Sequence, residues 1–206
     1  MRSIYAAFIT SCLMLVPMAM RCQSMAPMPT TYSASIQVEG AGGRAITEKV
    51  YRDGDKFRVD PQMAGQPAMM HMIMLLSSHK AYTVMPQSNM CFESQIGPRQ
   101  SPAMLSSDVS HPVSVTDLGS GTFDGRSCDI KKVVYKDQAG AEKEATVWLA
   151  KDLQNFPVKI TTQTLKGQTM TLDYKDISLA KPDPALFATP PNCRMMPSMG
   201  GMPVGH

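Results

Sequence analysis

Apolar and polar residues alternate with a period of two through most of the chain, the pattern of β-strands buried on one side. In Tyr32-Ser-Ala-Ser-Ile-Gln-Val38, Tyr32, Ala34, Ile36 and Val38 fall on one side and small or polar residues on the other. Gly40, Gly42 and Gly43 break that run, Ile46 and Val50 resume the period, and Asp53-Gly54 predicts a tight hairpin into Lys56-Phe57-Arg58-Val59. Met69 to Leu76 is an apolar run too short for periodicity to separate a buried strand from a helical turn. Ala81 to Met85 and Met90 to Glu93 read as two strands joined across Pro86-Gln-Ser-Asn89.

Between Ile96 and Pro112 the pattern lapses into Gly, Pro, Ser and Gln, which predicts a long loop with a helical turn around Met104 and Leu105. A second meander follows: Val113 to Leu118, Ser127 to Tyr135, Glu144 to Leu149, Val158 to Leu165 and Thr169 to Ile177, punctuated by Asp124-Gly125, Gly140 and Gly167. Pro184 to Ala188 predicts one short helix, with Asp183 placed to cap it. About ten short strands and no long amphipathic helix imply a barrel or two sheets folded together, because open strand edges invite aggregation.

The first residues do not belong to this pattern. Met1 and Arg2 give a positive start, Ile4 to Val16 form an apolar core, and Pro17 ends it. That is a signal peptide, too short to span ~30 Å of hydrocarbon. Cys22 and Ser24 at the −3 and −1 positions place cleavage after Ser24, and Arg21 before Cys22 argues against lipid attachment there. The expected organisation is a signal peptide over 1–24, a Met/Pro/Thr-rich linker over 25–31, a β domain over 32–191 and a flexible Met/Gly/Pro-rich tail over 192–206. The protein is expected in the periplasm or secreted, and no later segment reads as a transmembrane span.

Loss of Arg2 and Arg21 with the leader lowers a formal charge of only +3 by two. Lysine and arginine are scattered, so the basic footprint of a nucleic-acid binder is missing. Cys91, Cys128 and Cys193 remain, enough for one disulfide in an oxidising compartment. Three single pairings are open, and Cys128 with Cys193 is the one we favour. Zinc competes poorly: there is no CxxC pair, and His71, His79, His111 and His206 have no ligand spacing.

No GxSxG, HExxH, P-loop or GxGxxG motif occurs; Gly119-Ser-Gly121 lacks the third glycine and reads as a strand end. The chain is therefore expected to be non-catalytic and to need no cofactor. Methionine is the unusual feature. Four of 19 leave with the leader, and two clusters stand out among the rest. One is Met69-Met70-His71-Met72-Ile73-Met74; the other is the tail with Met195, Met196, Met199, Met202 and His206. Thioether sulfur suits Cu(I), so the tail is a candidate Cu(I) site. Methionine also fills irregular cores and lines adaptable apolar pockets, and that is the expected role of Met69, Met70, Met72 and Met74.

Several stretches in order resemble an uncharacterised family of exported bacterial proteins related in fold to the outer-membrane lipoprotein carriers LolA and LolB and to LppX. They are Val50-Tyr-Arg-Asp-Gly-Asp-Lys-Phe-Arg-Val59, Ala81-Tyr-Thr-Val-Met-Pro86, Gly125-Arg-Ser-Cys-Asp-Ile130, Val147-Trp-Leu-Ala-Lys-Asp152, Phe156-Pro-Val-Lys-Ile160 and Asp183-Pro-Ala-Leu-Phe187. The resemblance implies a mainly β fold: a strongly curved antiparallel sheet, or half-open barrel, whose concave face is covered by short helices or loops. In the carriers that face holds lipid acyl chains.

The function expected from these features is a non-catalytic extracytoplasmic module that binds a lipid or other apolar molecule in the concavity. Tyr32, Ile36, Phe57, Val59, Tyr82, Val84, Phe92, Val147, Leu149 and Ile160 are the candidate wall, with a filled core as the alternative for each. A Met-rich Cu(I)-binding protein is the second reading. Recognition of an envelope protein through a sheet edge is the third.

Overall fold

Tyr32, Ala34, Ile36 and Val38 are buried along one side of β1 (Thr31–Glu39), as the alternation requires. The computed structural model describes residues 25, 27–40, 46–62, 69–96, 105–137, 140–164 and 167–195. The strands that follow are β2 (Ile46–Asp53), β3 (Lys56–Gln62), β4 (His71–Leu75), β5 (Lys80–Met85) and β6 (Met90–Gln95). After α1 (Leu105–Val109) come β7 (Pro112–Phe123), β8 (Arg126–Lys136), β9 (Glu142–Ala150), β10 (Phe156–Gln163), β11 (Thr169–Ser178) and the two-residue β12 (Arg194–Met195). All join one sheet in the order β12-β6-β5-β4-β3-β2-β1-β11-β10-β9-β8-β7. The sheet is strongly curved and does not close, as the resemblance implied. Every pairing is antiparallel except the short one between β12 and β6.

This order consists of two meanders laid side by side. β1 to β6 run outward from the centre to one edge; β7 to β11 run inward from the other edge until β11 pairs with β1. The chain must therefore cross the sheet twice, once from the β6 edge to β7 at the far edge and once from central β11 to the β12 edge. Between β6 and β7 it carries α1, which packs on β8 and reaches central β1. Between β11 and β12 it returns to the β6 edge through a 3-10 turn, Pro184–Phe187, and there Arg58 Nη1 donates to the Leu186 carbonyl at 3.0 Å. Asp183 caps that turn, its Oδ1 accepting from the Ala185 N–H at 2.9 Å, as the sequence predicted.

The ambiguous Met69–Leu76 run resolves into both alternatives, strand β4 followed by a 3-10 turn at Leu76–Ser78. The helical turn expected near Leu105 is α1, while Met104 lies outside the described residues. Thr31, assigned to the linker, already opens β1, and Met25 and Met28 pack against the main core. The leader expected over 1–24 lies outside the described residues. At the centre of the core, Phe156 makes T-shaped contacts with Tyr32 and Tyr174, at 4.8 and 5.4 Å between ring centroids. Burial of such large side chains contributes about 1.5–3 kcal/mol each.

Candidate functional site

Register decides which residues share the inner face. From Tyr32, Ala34 and Ile36, the pairings carry that face to Val50, Phe57 and Val59, then to Met72 and Met74, to Ala81, Thr83 and Met85, and to Phe92 and Met90. In the other direction it runs through Leu172 and Tyr174 to Ile160, then to Val147 and Ala145 and on to Val133.

Seven predicted wall residues, Tyr32, Ile36, Phe57, Val59, Val147, Leu149 and Ile160, come together in one buried cluster. Tyr82 and Val84 do not join them. They pair with Ile73 and His71 and form a separate outer-face cluster with Cys91, packed by Leu75 and Cys193 under the returning C-terminal segment. Phe92 is on the inner face but only half-buried.

The cysteine pairing differs from the one favoured on sequence. Cys91 is bonded to Cys193, with 4.5 Å between Cα atoms, and Cys128 is free and buried. The sheet order explains why. Cys193 immediately precedes β12, the neighbour of β6, whereas nine strands separate β12 from β8 and Cys128. Burial pushes the Cys128 thiol up, which suits a structural role and not a nucleophile.

α1 covers one end of the inner face. Leu105 and Val109 enter the main cluster, and the Ser106 hydroxyl lies 3.2 Å from the Tyr32 hydroxyl. Burial raises the pKa of both Tyr32 and Tyr174. Asp108 is half-buried on the same helix, its carboxyl pushed up to about 6 by burial and then by Asp137, with His111 opposing.

The other end, β4 to β6, is less covered. Its inner-face side chains grade from fully buried Met74 through half-buried Met72, Met85 and Phe92 to exposed Met90. This methionine lip was not recognised in the sequence as a unit, because its members come from three strands. Alternation also splits the Met69–Met74 run: Met72 and Met74 face inward, and His71 faces outward. Burial, then Arg58, holds the His71 imidazole below its usual pKa, with Asp60 opposing.

A concavity of about 530 Å³ elsewhere is lined by Lys132, Glu144, Thr146, Thr161 and Thr164 among others. Its size suits a small ligand, but its lining is polar and Lys132 is ion-paired with Glu144 at 2.9 Å. Thr146 and Thr161 alternate with Val147 and Ile160, which places that concavity on the outer face.

Among the described residues no three His, Cys, Asp or Glu side chains are grouped to hold a metal, and no helix is long and apolar enough to cross a membrane. Of the candidate Cu(I) tail, Met195 belongs to β12, while Met196, Met199, Met202 and His206 lie outside the described residues.

The family model "Domain of unknown function (DUF4412)" matches residues 35–156, more than half of the chain. The chain belongs to the DUF4412 family. No curated protein matches it. Among solved structures, this DUF4412 protein is similar to an uncharacterized conserved protein from Thermus thermophilus, at 15% identity and a TM-score of 0.52, over 82% of this chain and 90% of that one. It is also similar to a LolA superfamily protein from Nitrosomonas europaea, at 13% identity and a TM-score of 0.46, over 80% and 93%. A third match is the Mycobacterium tuberculosis lipoprotein LppX, at 14% identity and a TM-score of 0.41, over 72% and 86%. LolA and LppX are the folds that the sequence resembled. Likeness at such identities concerns the fold alone.

Proposed function

We propose that this protein is a non-catalytic extracytoplasmic module that holds a lipid or other apolar molecule on the inner face of its sheet. One observation carries the proposal: the inner face runs, with Thr83 as its polar member, from the buried core at Met74 to the half-open lip of Met72, Met85, Phe92 and Met90. An apolar chain lying there would extend the core already present. Methionine suits such a surface because its unbranched, polarisable side chain adapts to ligands of different shape. The buried wall residues would then support the site from beneath, and the lip would make the contacts. An oxidising location is supported by the Cys91–Cys193 bond together with the leader-like start of the chain.

The test is displacement of a fluorescent fatty acid, joined to native mass spectrometry of gently purified protein. One bound apolar molecule per chain is expected, and Met85→Asp is expected to weaken uptake at least tenfold. Absence of both co-purifying ligand and probe uptake would falsify the proposal.

A further inference from the structure

The lip has an outer rim made of thioethers. Met69, Met70 and Met90 are 49%, 39% and 44% exposed, three of the six large apolar side chains left in solvent among the described residues. Two of them line up with a third. Met85 of β5 is the register partner of Met90 of β6. Met70 stands directly before β4, one step beyond the His71–Val84 pair, and so is level with Met85. Two neighbouring strands, and the residue leading into a third, thus offer one methionine each, with the β4–β5 register extended by one step placing Met70 at the same height, and with ~4.8 Å between strands.

Packing does not account for this row. Exposed positions on a strand gain little from a large apolar side chain, and β-branched or aromatic residues fit the pleated surface better. Three sulfurs at one level have a chemistry of their own. Thioether sulfur is soft and uncharged, so it selects Cu(I) over the harder divalent ions. Each side chain has three rotatable bonds, enough for sulfurs on adjacent strands to converge on one ion without moving the backbone. His71 is excluded by alternation, since it pairs with Val84 on the outer face. The row is therefore an all-thioether donor set.

We propose that Met70, Met85 and Met90 form a three-sulfur site for Cu(I) at the rim of the inner face. The site lies one inner-face row beyond Met72 and Phe92, and it goes beyond the apolar-ligand reading without depending on it. It also differs from a site in the tail, because all three donors stand on or beside the sheet.

The test uses Ag(I), a soft monovalent ion that does not change oxidation state, and then Cu(I) held by a competing chelator under ascorbate. One ion per chain is expected, with three sulfur neighbours by X-ray absorption. Met85→Leu with Met90→Leu is expected to weaken binding at least tenfold while leaving the circular dichroism unchanged, since leucine keeps the volume and loses the sulfur. Met70→Leu, at an exposed position, serves as a second variant should the double change disturb the fold. A chain ending at Met195 is expected to bind like the full protein. No uptake by the intact protein overturns the proposal, as does full binding by the leucine variants. Binding lost only when residues 196–206 are removed assigns the ion to the tail and overturns it equally.

Discussion

The Tyr32 hydroxyl on the central strand and the Ser106 hydroxyl on α1 lie 3.2 Å apart in the buried core. That contact fastens the edge-to-edge crossover to the middle of the sheet. Tyr174, which pairs with Ile36 across β1 and β11, has a buried hydroxyl with no hydrogen-bond partner among the described residues. The two tyrosines should therefore respond differently to loss of the hydroxyl. Tyr32→Phe removes a made bond and is expected to cost about 1 kcal/mol, whereas Tyr174→Phe removes an unsatisfied group and should be neutral or stabilising. Urea denaturation of both variants checks this; equal losses would contradict it.

The Cys91–Cys193 bond closes a sequence separation of 102 residues and holds the returning segment against β6. Cys193→Ser is expected to lower stability by roughly 2–5 kcal/mol, the range for a native disulfide closing a long loop. Cys128→Ala should leave the linkage intact. Peptide mapping without reduction is the check: Cys91 and Cys193 should appear in one linked species, and Cys128 should resist alkylation until the protein unfolds. A Cys128-linked peptide would refute the pairing.

Much of the strand plan was legible because local chemistry fixes it. Asp53-Gly54 and Asp124-Gly125 mark turns in which Gly54 and Gly125 take positive φ values of 63° and 74°. Asp183 announces its 3-10 turn, and the alternation from Tyr32 to Val38 places the core side of β1 correctly. What could not be read depends on residues far apart in the chain. Tyr82 and Val84 look like wall residues because they are apolar and alternate with Thr83, yet pairing with Ile73 and His71 turns them outward, and Thr83 and Met85 face inward. The disulfide was hidden for a related reason: only the return of the C-terminal segment across the sheet brings Cys193 to Cys91. The methionine lip needs the register of three strands before its members become neighbours.

Asp108 makes stability depend on pH through α1. Its carboxyl is pushed up to about 6, first by burial, then by Asp137, with His111 pulling the other way. Burial, then Asp108 and Asp137, likewise raises the pKa of nearby Tyr135, whose hydrogen bond to Thr162 opposes the rise. In an unfolded chain aspartate titrates near ~3.9. The folded state thus holds this proton more tightly. The resulting cost to stability is absent below about pH 4, grows as pH rises toward the folded value of about 6, and is constant above it. Asp108→Asn should melt above wild type at pH 7.5, and the gap should close as pH falls to about 4. Melting temperatures across that range decide the matter, and a gap that stays constant with pH would count against it.

Gly119 and Gly121, two residues apart on β7, are required for different reasons, and Trp148, the only tryptophan, can tell them apart. A Cβ on Gly121 would stand 2.9 Å from Trp148 Cζ3 and 3.2 Å from Ile130 Cδ1. Gly119 has open space around its Cβ position but a φ of +100°. Gly121→Ala must push the half-buried indole aside and is expected to cost about 1–3 kcal/mol, the range for overpacking. Its emission spectrum should shift with the ring's new surroundings. Gly119→Ala forces an L side chain into backbone that glycine favours, at a cost of about 1–3 kcal/mol, with the indole left where it is. Similar losses of stability with a shifted emission only for Gly121→Ala are therefore expected. An unshifted spectrum in Gly121→Ala would show that the β7 backbone gives way and not the indole.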